Sequence, residues 1–260
     1  MDLKLKNKVV VITGGSVGIG RAVAREFLKE GCLVAVCARR KEALDAFYDE
    51  CAAAGFGERV LAFPADVTDT PRMTAFCNAV VERFGKLDIW INNAGNPLRK
   101  ALMDLNREEW DACLDVNLSS VFECCKLAVR EMRKTGGGVI INASSFGAVI
   151  PVAGVGVYAV AKRGLTAFTQ ALAAELAPDN IRVAAYTPGF FDTPMSVPMI
   201  AEGREALERQ CPLNRLGKAE EIAPAIVFLA SDQAGYITGT DIAVTGGKFC
   251  VQNPMFAWGK

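Results

Sequence analysis

Tyr158 and Lys162 stand four positions apart in Tyr158-Ala159-Val160-Ala161-Lys162, and the Ala- and Leu-rich stretch that follows, to Ala177, reads as a helix. Residues at i and i+4 share one helix face, so the ammonium can lie beside the phenol. A phenol with a pKa of about 10 is a poor acid or base at neutral pH, and a nearby cation lowers that value by stabilising the phenolate. The pair would then protonate a ketone oxygen during reduction or deprotonate an alcohol during oxidation. The Y-x-x-x-K spacing alone is common in amphipathic helices, and it carries chemistry only in combination.

A second segment is built for phosphate. Thr13-Gly14-Gly15-Ser16-Val17-Gly18-Ile19-Gly20 follows the apolar run Val9–Ile12 and leads into the helical Arg21–Leu28. Glycine permits a tight turn and close approach of main chain to a pyrophosphate, while a helix N-terminus offers unpaired N–H groups and a favourable dipole. Gly14, Ser16, Gly18, Ile19 and Gly20 are the candidate contacts. The spacing is G-x-x-x-G-x-G, not the G-x-G-x-x-G of the standard dinucleotide fingerprint. Nineteen residues beyond Gly20, the chain reads Cys37-Ala38-Arg39-Arg40-Lys41. A carboxylate at this place would bind the ribose 2′-OH of NAD, whereas arginine accommodates the 2′-phosphate of NADP. Positive charge is unfavourable at a helix start, so a phosphate partner gives Arg39 and Arg40 a reason to be there. A solvated basic helix start is the plainer alternative. NADP(H) is expected in preference to NAD(H).

These groups need a frame, and the hydrophobic pattern supplies one. Candidate strands are Val9–Ile12, Leu33–Cys37, Val60–Pro64, Leu87–Ile91, Val139–Asn142, Ile181–Tyr186 and Asp241–Val244. Several are almost wholly apolar, as strands covered on both faces should be. Helix-length segments separate them, one opening at Thr70-Pro71 with threonine as cap and proline in the first turn. The rhythm predicts an α/β fold: a Rossmann-like, doubly wound, mostly parallel sheet of about seven strands with helices on both faces, in one domain over 1–260. Gly136-Gly137-Gly138 is the turn before the fifth strand. The proline-containing stretch 193–215 breaks the rhythm after the sixth strand, before a helix over Ala219–Ser231. A substrate lid belongs at this place, with a packed surface excursion as the alternative.

Composition removes other chemistries. Of 260 residues, 29 are basic and 29 acidic, without the basic excess of a nucleic-acid binder. No apolar run approaches the roughly 20 residues that span a bilayer. Histidine is absent, which excludes a Ser-His-Asp triad and nearly every imidazole zinc site; no metal is expected. The nine cysteines are odd in number, lack a C-x-x-C pair and sit mostly among Ala, Val and Leu. They read as buried thiols in a reducing cytoplasm.

From about Lys8 to Gly247 the sequence resembles the short-chain dehydrogenase/reductase family. The glycine turn resembles the family's cofactor turn and accounts for the unusual spacing. Asp66-Val67 resembles the pair that lies along the adenine, and Asn92-Asn93-Ala94-Gly95 the motif that supports the sheet and borders the cofactor, bringing Asn93, Ala94 and Gly95 into the site. Pro188-Gly189 with Thr193 resembles the segment that binds the nicotinamide carboxamide. The resemblance implies a catalytic tetrad. Asn117 matches its asparagine, Tyr158 and Lys162 its central pair, and the family's spacing of about 13 residues before the tyrosine selects Ser145 over Ser144. Ser145 would hydrogen-bond the substrate carbonyl. Asn117, placed mid-helix, would hold through its backbone carbonyl a water linking Lys162 to solvent. Val17 stands where many NADP-using members carry a basic residue, so phosphate recognition falls to Arg39 with Arg40 and Ser16.

The substrate walls are expected from Asn96–Lys100, Phe146–Val157 and Phe190–Met199, with Phe190, Phe191, Met195, Val197 and Met199 forming an apolar rim. Such walls favour a bulky, apolar carbonyl compound such as a hydroxysteroid or aryl ketone, interconverted with its secondary alcohol. A 3-oxoacyl thioester (acyl-carrier-protein) reductase is the alternative enzyme, and a non-catalytic nucleotide-binding regulator the alternative of another class. Arg99 and Lys100 either greet an anionic group or are ordinary surface charge. The family implies a homotetramer or homodimer. The extension 248–260, with Phe249, Met255, Phe256 and Trp258, covers either a neighbouring subunit or its own.

Overall fold

Apolar β-rich runs pair into one parallel sheet because each strand can bury both faces only between two layers of helix. The computed structural model describes residues 2–259; Met1 and Lys260, at the ends of the expected 1–260 unit and the 248–260 extension, lie outside the described residues. The chain runs β1 (Val9–Thr13), α1 (Gly18–Lys29), β2 (Leu33–Ala38), α2 (Lys41–Ala53), β3 (Val60–Pro64), α3 (Thr70–Phe84), β4 (Ile89–Asn92), α4 (Arg107–Leu114), α5 (Ser120–Thr135), β5 (Gly138–Ala143) and α6 (Phe146–Val149). It continues through α7 (Gly156–Leu176), β6 (Ile181–Pro188), β7 (Phe191–Asp192), α8 (Val197–Glu208), β8 (Gly217–Lys218), α9 (Ala219–Ala230) and β9 (Asp241–Val244). The sheet order is β3-β2-β1-β4-β5-β6-β9 with all neighbours parallel, and Val10 pairs with both Val34 and Ile89. All seven expected strands take part, and β7 and β8 form a separate parallel pair.

Alternation assigns the two layers. Val10 and Ile12 of β1 enter a core with Phe27 of α1, Phe47 of α2 and Ile226 of α9. Val9 and Val11 enter the opposite core with Phe76 of α3, Val121 of α5 and Leu165 of α7. Removing one such side chain costs far more than its transfer free energy alone; Phe27→Ala is a loss of about 3–5 kcal/mol. Between the layers runs a buried polar ladder. Trp90 Nε1 donates to Asn92 Oδ1 at 2.8 Å, Asn92 Nδ2 to Asn142 Oδ1 at 2.9 Å, and Asn142 Nδ2 to Thr169 Oγ1 at 2.9 Å. This ladder ties α7 to β4 and β5, fixing the helix that carries Tyr158 and Lys162. The connections leave β1 and β4 in opposite directions, and the crevice between their carboxyl ends is where such sheets bind ligands.

Several expectations change. Asp69, not Thr70, caps α3, its carboxylate accepting from Arg72 N at 2.9 Å; Thr70 is already helical. Aspartate caps somewhat better than threonine, and proline needs no partner in the first turn. The stretch 193–215 is largely helical: a short turn at Pro194–Ser196 leads into α8, whose early proline costs no hydrogen bond, and the helical geometry breaks at Gly203. Phe191 is no rim residue. It turns into the sheet core, while its neighbour Phe190 packs with Cys211 and Leu216 on the other side. The C-terminal extension folds back on its own chain, with Trp258 Nε1 donating to Pro212 O at 2.9 Å and Phe249 against Phe146. All nine cysteines are free, eight of them buried and Cys250 exposed. No described helix is long and apolar enough to cross a membrane.

Candidate active site

The turn between β1 and α1 meets the segment after β4. Gly14 has φ +66°, a region L side chains avoid, and a methyl group there would sit 3.1 Å from Ala94 Cα. At Gly20 a methyl would collide with Gly14 O and Asn93 Nδ2. Glycine is therefore required twice, once for conformation and once for room. Thr13 Oγ1 accepts from Asn93 N and Ala94 N, both at 3.0 Å, and Asn93 Nδ2 donates to Thr13 O at 2.9 Å. No side chain caps α1. Its first N–H groups thus stand ready for an anion, and its dipole favours one.

A cleft of about 560 Å³ opens above this turn. Gly14, Ser16, Gly18, Ile19 and Gly20 line its floor, and Arg39, Arg40, Asp66 and Val67 its outer end. Asn93, Ala94, Gly95, Tyr158, Lys162, Pro188 and Thr193 line the inner end. Arg39 is exposed, with its guanidinium 3.9 Å from Asp66, and Arg40 is the uncapped residue before α2. Two arginine forks therefore stand at the outer rim with little to hold them but a ligand. The cradle fits an extended dinucleotide: anion-ready amides in the middle, guanidinium groups at one end, and the Tyr-Lys pair at the other. Gly189 lies just behind the lining, packed on the Thr245 backbone, and Thr187 Oγ1 donates to Asp241 Oδ2 at 2.7 Å. Both contacts fix the exit of β6 ahead of Thr193, which reaches back within 3.6 Å of where a Gly18 side chain would begin.

Tyr158 sits in the first turn of α7. Lys162 Nζ lies 5.6 Å from the centre of its ring and donates to Ala143 O at 2.8 Å. Ser145, almost fully buried, caps α6 by accepting from Gly147 N at 3.1 Å and is hydrogen-bonded to the Tyr158 phenol. Asn117 is not in an ordinary α-helix: α4 and α5 are joined by a π-helical turn over Asp115–Ser119, a distortion found often at functional sites. Its Nδ2 donates to Asn96 O at 3.0 Å and Cys113 O at 2.9 Å, and its Oδ1 accepts from Asn96 N at 3.1 Å. Gly95 fits between Asn117 and Lys162; a methyl there would stand 2.9 Å from Asn117 Oδ1 and 3.5 Å from Lys162 Nζ. The fold thus brings Asn117, Ser145, Tyr158 and Lys162 together, although Ser145 and Asn117 sit behind the cleft surface that Ser144 and Val116 line.

The electrostatics differ from the expectation that Lys162 lowers the tyrosine. Burial pushes the Tyr158 phenol up, with the Ser145 hydrogen bond only partly offsetting it. Burial also drives Lys162 down to about 8. Desolvation disfavours the charged form of each group and is the largest cause of both shifts. The phenol is kept protonated, the state a proton donor needs.

Pattern reading missed Tyr186, which lines the cleft and donates from Oη to Asn93 Oδ1 at 2.9 Å. A hydroxyl-bearing ring directly after the aliphatic run Val183–Ala185 was the available signal. Arg99 and Lys100 prove to be matched charges: Arg99 pairs with Glu202 of α8 at 2.8 Å and Lys100 with Glu109 at 2.7 Å.

Comparisons with known proteins agree with this geometry. The family model described as "Enoyl-(Acyl carrier protein) reductase" matches residues 14–248. The chain is 38% identical over 245 residues to 3-oxoacyl-[acyl-carrier-protein] reductase FabG of Thermotoga maritima, covering 94% of this chain and 99% of that protein. It is 37% identical over 247 residues to 3alpha-hydroxysteroid dehydrogenase of Mediterraneibacter gnavus, covering 95% and 98%. The crystal structure of a short-chain type dehydrogenase/reductase from Mycobacterium marinum superposes with a TM-score of 0.90 at 35% identity, over 96% of this chain and 98% of that one.

Proposed function

Because the chain belongs to the short-chain dehydrogenase/reductase family and is an oxidoreductase of that family, we propose that it is an NADP(H)-dependent carbonyl reductase, reversible as an alcohol dehydrogenase. The family uses nicotinamide dinucleotides; when bound, the nicotinamide supplies or accepts the hydride. Tyr158 gives its phenolic proton to the carbonyl oxygen, and Ser145 donates a hydrogen bond that orients that oxygen. Lys162 holds positive charge beneath Tyr158 and anchors the cofactor ribose. Asn117, fixed in its π-turn beside Gly95 and Lys162, positions the water that restores the proton. Arg39 and Arg40 bind the 2′-phosphate. The observation that carries this reading is the pair Tyr158 and Lys162, with Ser145 hydrogen-bonded behind them, at the inner end of a cleft whose outer end is arginine-rich and free of acid save Asp66.

The substrate is a bulky, mainly apolar ketone or secondary alcohol. Val149 at the end of α6 and Ile150 and Val152 beyond it are exposed, as are the apolar Met195 and Val197 of the segment after β7. The region 193–215 is its lid. The similarity to FabG proteins supports a second reading, reduction of a 3-oxoacyl thioester. Exposed Phe122 of α5 and Val160 of α7 support a homodimer or homotetramer, and the free thiols a cytoplasmic setting. Initial rates with NADPH and NADH, across steroid ketones, aryl ketones and 3-oxoacyl thioesters, test the reading. NADPH preference with ketone turnover is expected. NADH preference refutes the arginine assignment, thioester preference selects the second reading, and cofactor binding with silence on every substrate refutes both.

A further inference from the structure

The C-terminal extension opens with Lys248, a half-buried residue whose Nζ lies 4.3 Å from the centre of the Phe190 ring and 5.4 Å from that of Phe146. The two rings meet edge to face at 4.8 Å, and each directly follows a proposed site residue, Phe146 after Ser145 and Phe190 after Gly189. The ammonium thus stands against an aromatic pair tied through Ser145 and Gly189 to the proposed site, just behind the cleft lining. Its side-chain hydrogen bond goes to a neutral acceptor, Gln210 Oε1, at 2.6 Å. Among the described residues no carboxylate pairs with it, although Arg99, Lys100 and Arg215 nearby in the fold are each matched by a glutamate. Burial lowers the Lys248 ammonium below the ordinary lysine range, with only the Cys211 thiol acting against it. A cation withdrawn from water without a counter-charge is costly, and ring faces compensate it only in part. An ammonium also carries more donors than one amide oxygen occupies.

We propose that Lys248 is a substrate-recognition residue that receives a carboxylate, so that the preferred substrate is an apolar oxo or hydroxy carboxylic acid whose body lies against Phe146 and Phe190. This rests on the ketone–alcohol reading above and narrows its substrate class. A flat carboxylate suits a single ammonium confined between two rings, whereas phosphate groups favour several donors or a guanidinium fork.

Isothermal titration of the NADP-bound protein with phenylbutanoate and with its neutral amide, phenylbutanamide, tests the proposal without turnover. The carboxylate should bind about tenfold more tightly than the amide, a difference of about 1.4 kcal/mol. Lys248→Met should erase that preference and Lys248→Arg retain most of it. Equal binding of the two probes, binding of neither, or a preference that survives Lys248→Met overturns the proposal. Kinetics give the second readout. In Lys248→Met, KM for an apolar oxo acid should rise about tenfold while KM for a matched neutral ketone holds. A parallel rise for both substrates makes Lys248 a brace for the lid and overturns its role in recognition. Failure of the ketone reading itself shows differently, as wild-type protein that turns over no ketone of either kind.

Discussion

On the cofactor side of the cleft the walls are chiefly main chain: Gly14 stands tight against Ala94 in a conformation that calls for glycine, Gly20 leaves no room for a methyl group beside Gly14 O and Asn93, and α1 presents its own amides. On the proposed substrate side the segments flanking the cleft are joined by side chains across loops, such as Phe146 on Phe190, Arg99 on Glu202 and Lys248 on Gln210, all behind the lining itself. Main-chain walls serve one ligand shape and admit little substitution. Side-chain walls can be rebuilt residue by residue without disturbing the sheet. Tyr158 and Lys162 sit at the border, held by a helix whose register the Asn92–Asn142–Thr169 ladder fixes from below. The difference explains how one family frame accommodates a constant cofactor and variable substrates.

Four changes probe that contrast. At the border, Tyr158→Phe removes the proposed proton donor and keeps the ring. Turnover should fall by about a hundred- to ten-thousand-fold with NADPH affinity intact, read by initial rates and fluorescence titration. Turnover within tenfold of wild type would falsify the assignment of Tyr158 as donor. On the main-chain side, Gly20→Ala should weaken NADPH binding by about a hundredfold or more, close to 2.7 kcal/mol, because the methyl group must push Gly14 or Asn93 aside. Near-normal binding in that variant would show that the turn yields more readily than its packing implies.

Lys162 offers a test in the ligand-free protein. Its folded value of about 8 lies below the ordinary 10.5, so the unfolded chain binds the proton more tightly. The cost to stability is complete below about pH 8 and vanishes as pH rises past about 10.5, roughly 3 kcal/mol in all. Lys162→Met lacks this titration. The wild-type protein should therefore gain stability relative to Lys162→Met between these limits, measured by urea unfolding at stepped pH. A constant difference across the window means that Lys162 is not desolvated as its burial implies. The smallest effect belongs to the side-chain wall. Arg99 and Glu202 are both solvent-exposed, so Arg99→Ala should change stability by less than about 1 kcal/mol and act mainly on KM, through a looser α8. A change in kcat with KM untouched would place α8 outside the substrate side altogether.

Much of this architecture was legible in the residues because it is periodic. Apolar runs such as Val9–Ile12 and Val183–Ala185 are buried on both faces, and their spacing by helix lengths forces parallel pairing. The glycine turn was legible because only glycine tolerates Gly14's backbone and Gly20's crowding. Tyr158 and Lys162 were legible because a helix places i and i+4 together wherever it lies. Asp69 displaced Thr70 as cap because capping strength depends on which side chain can reach the amide, a matter of local geometry that adjacent polar residues leave open.

What the sequence determined, then, was everything set by local repetition: strand faces, helix faces, the anion-ready turn and the residue types gathered for chemistry. What only the tertiary structure decided was everything that depends on distance between remote segments and on exclusion of water. Phe190 and Phe191 are neighbours in the chain yet enter different cores, because the chain bends at Phe190 just before β7 begins at Phe191. Lys162 and Tyr158 are both shifted chiefly by burial, because the free energy of a charge depends on the solvent it has lost, and that is a property of the whole fold.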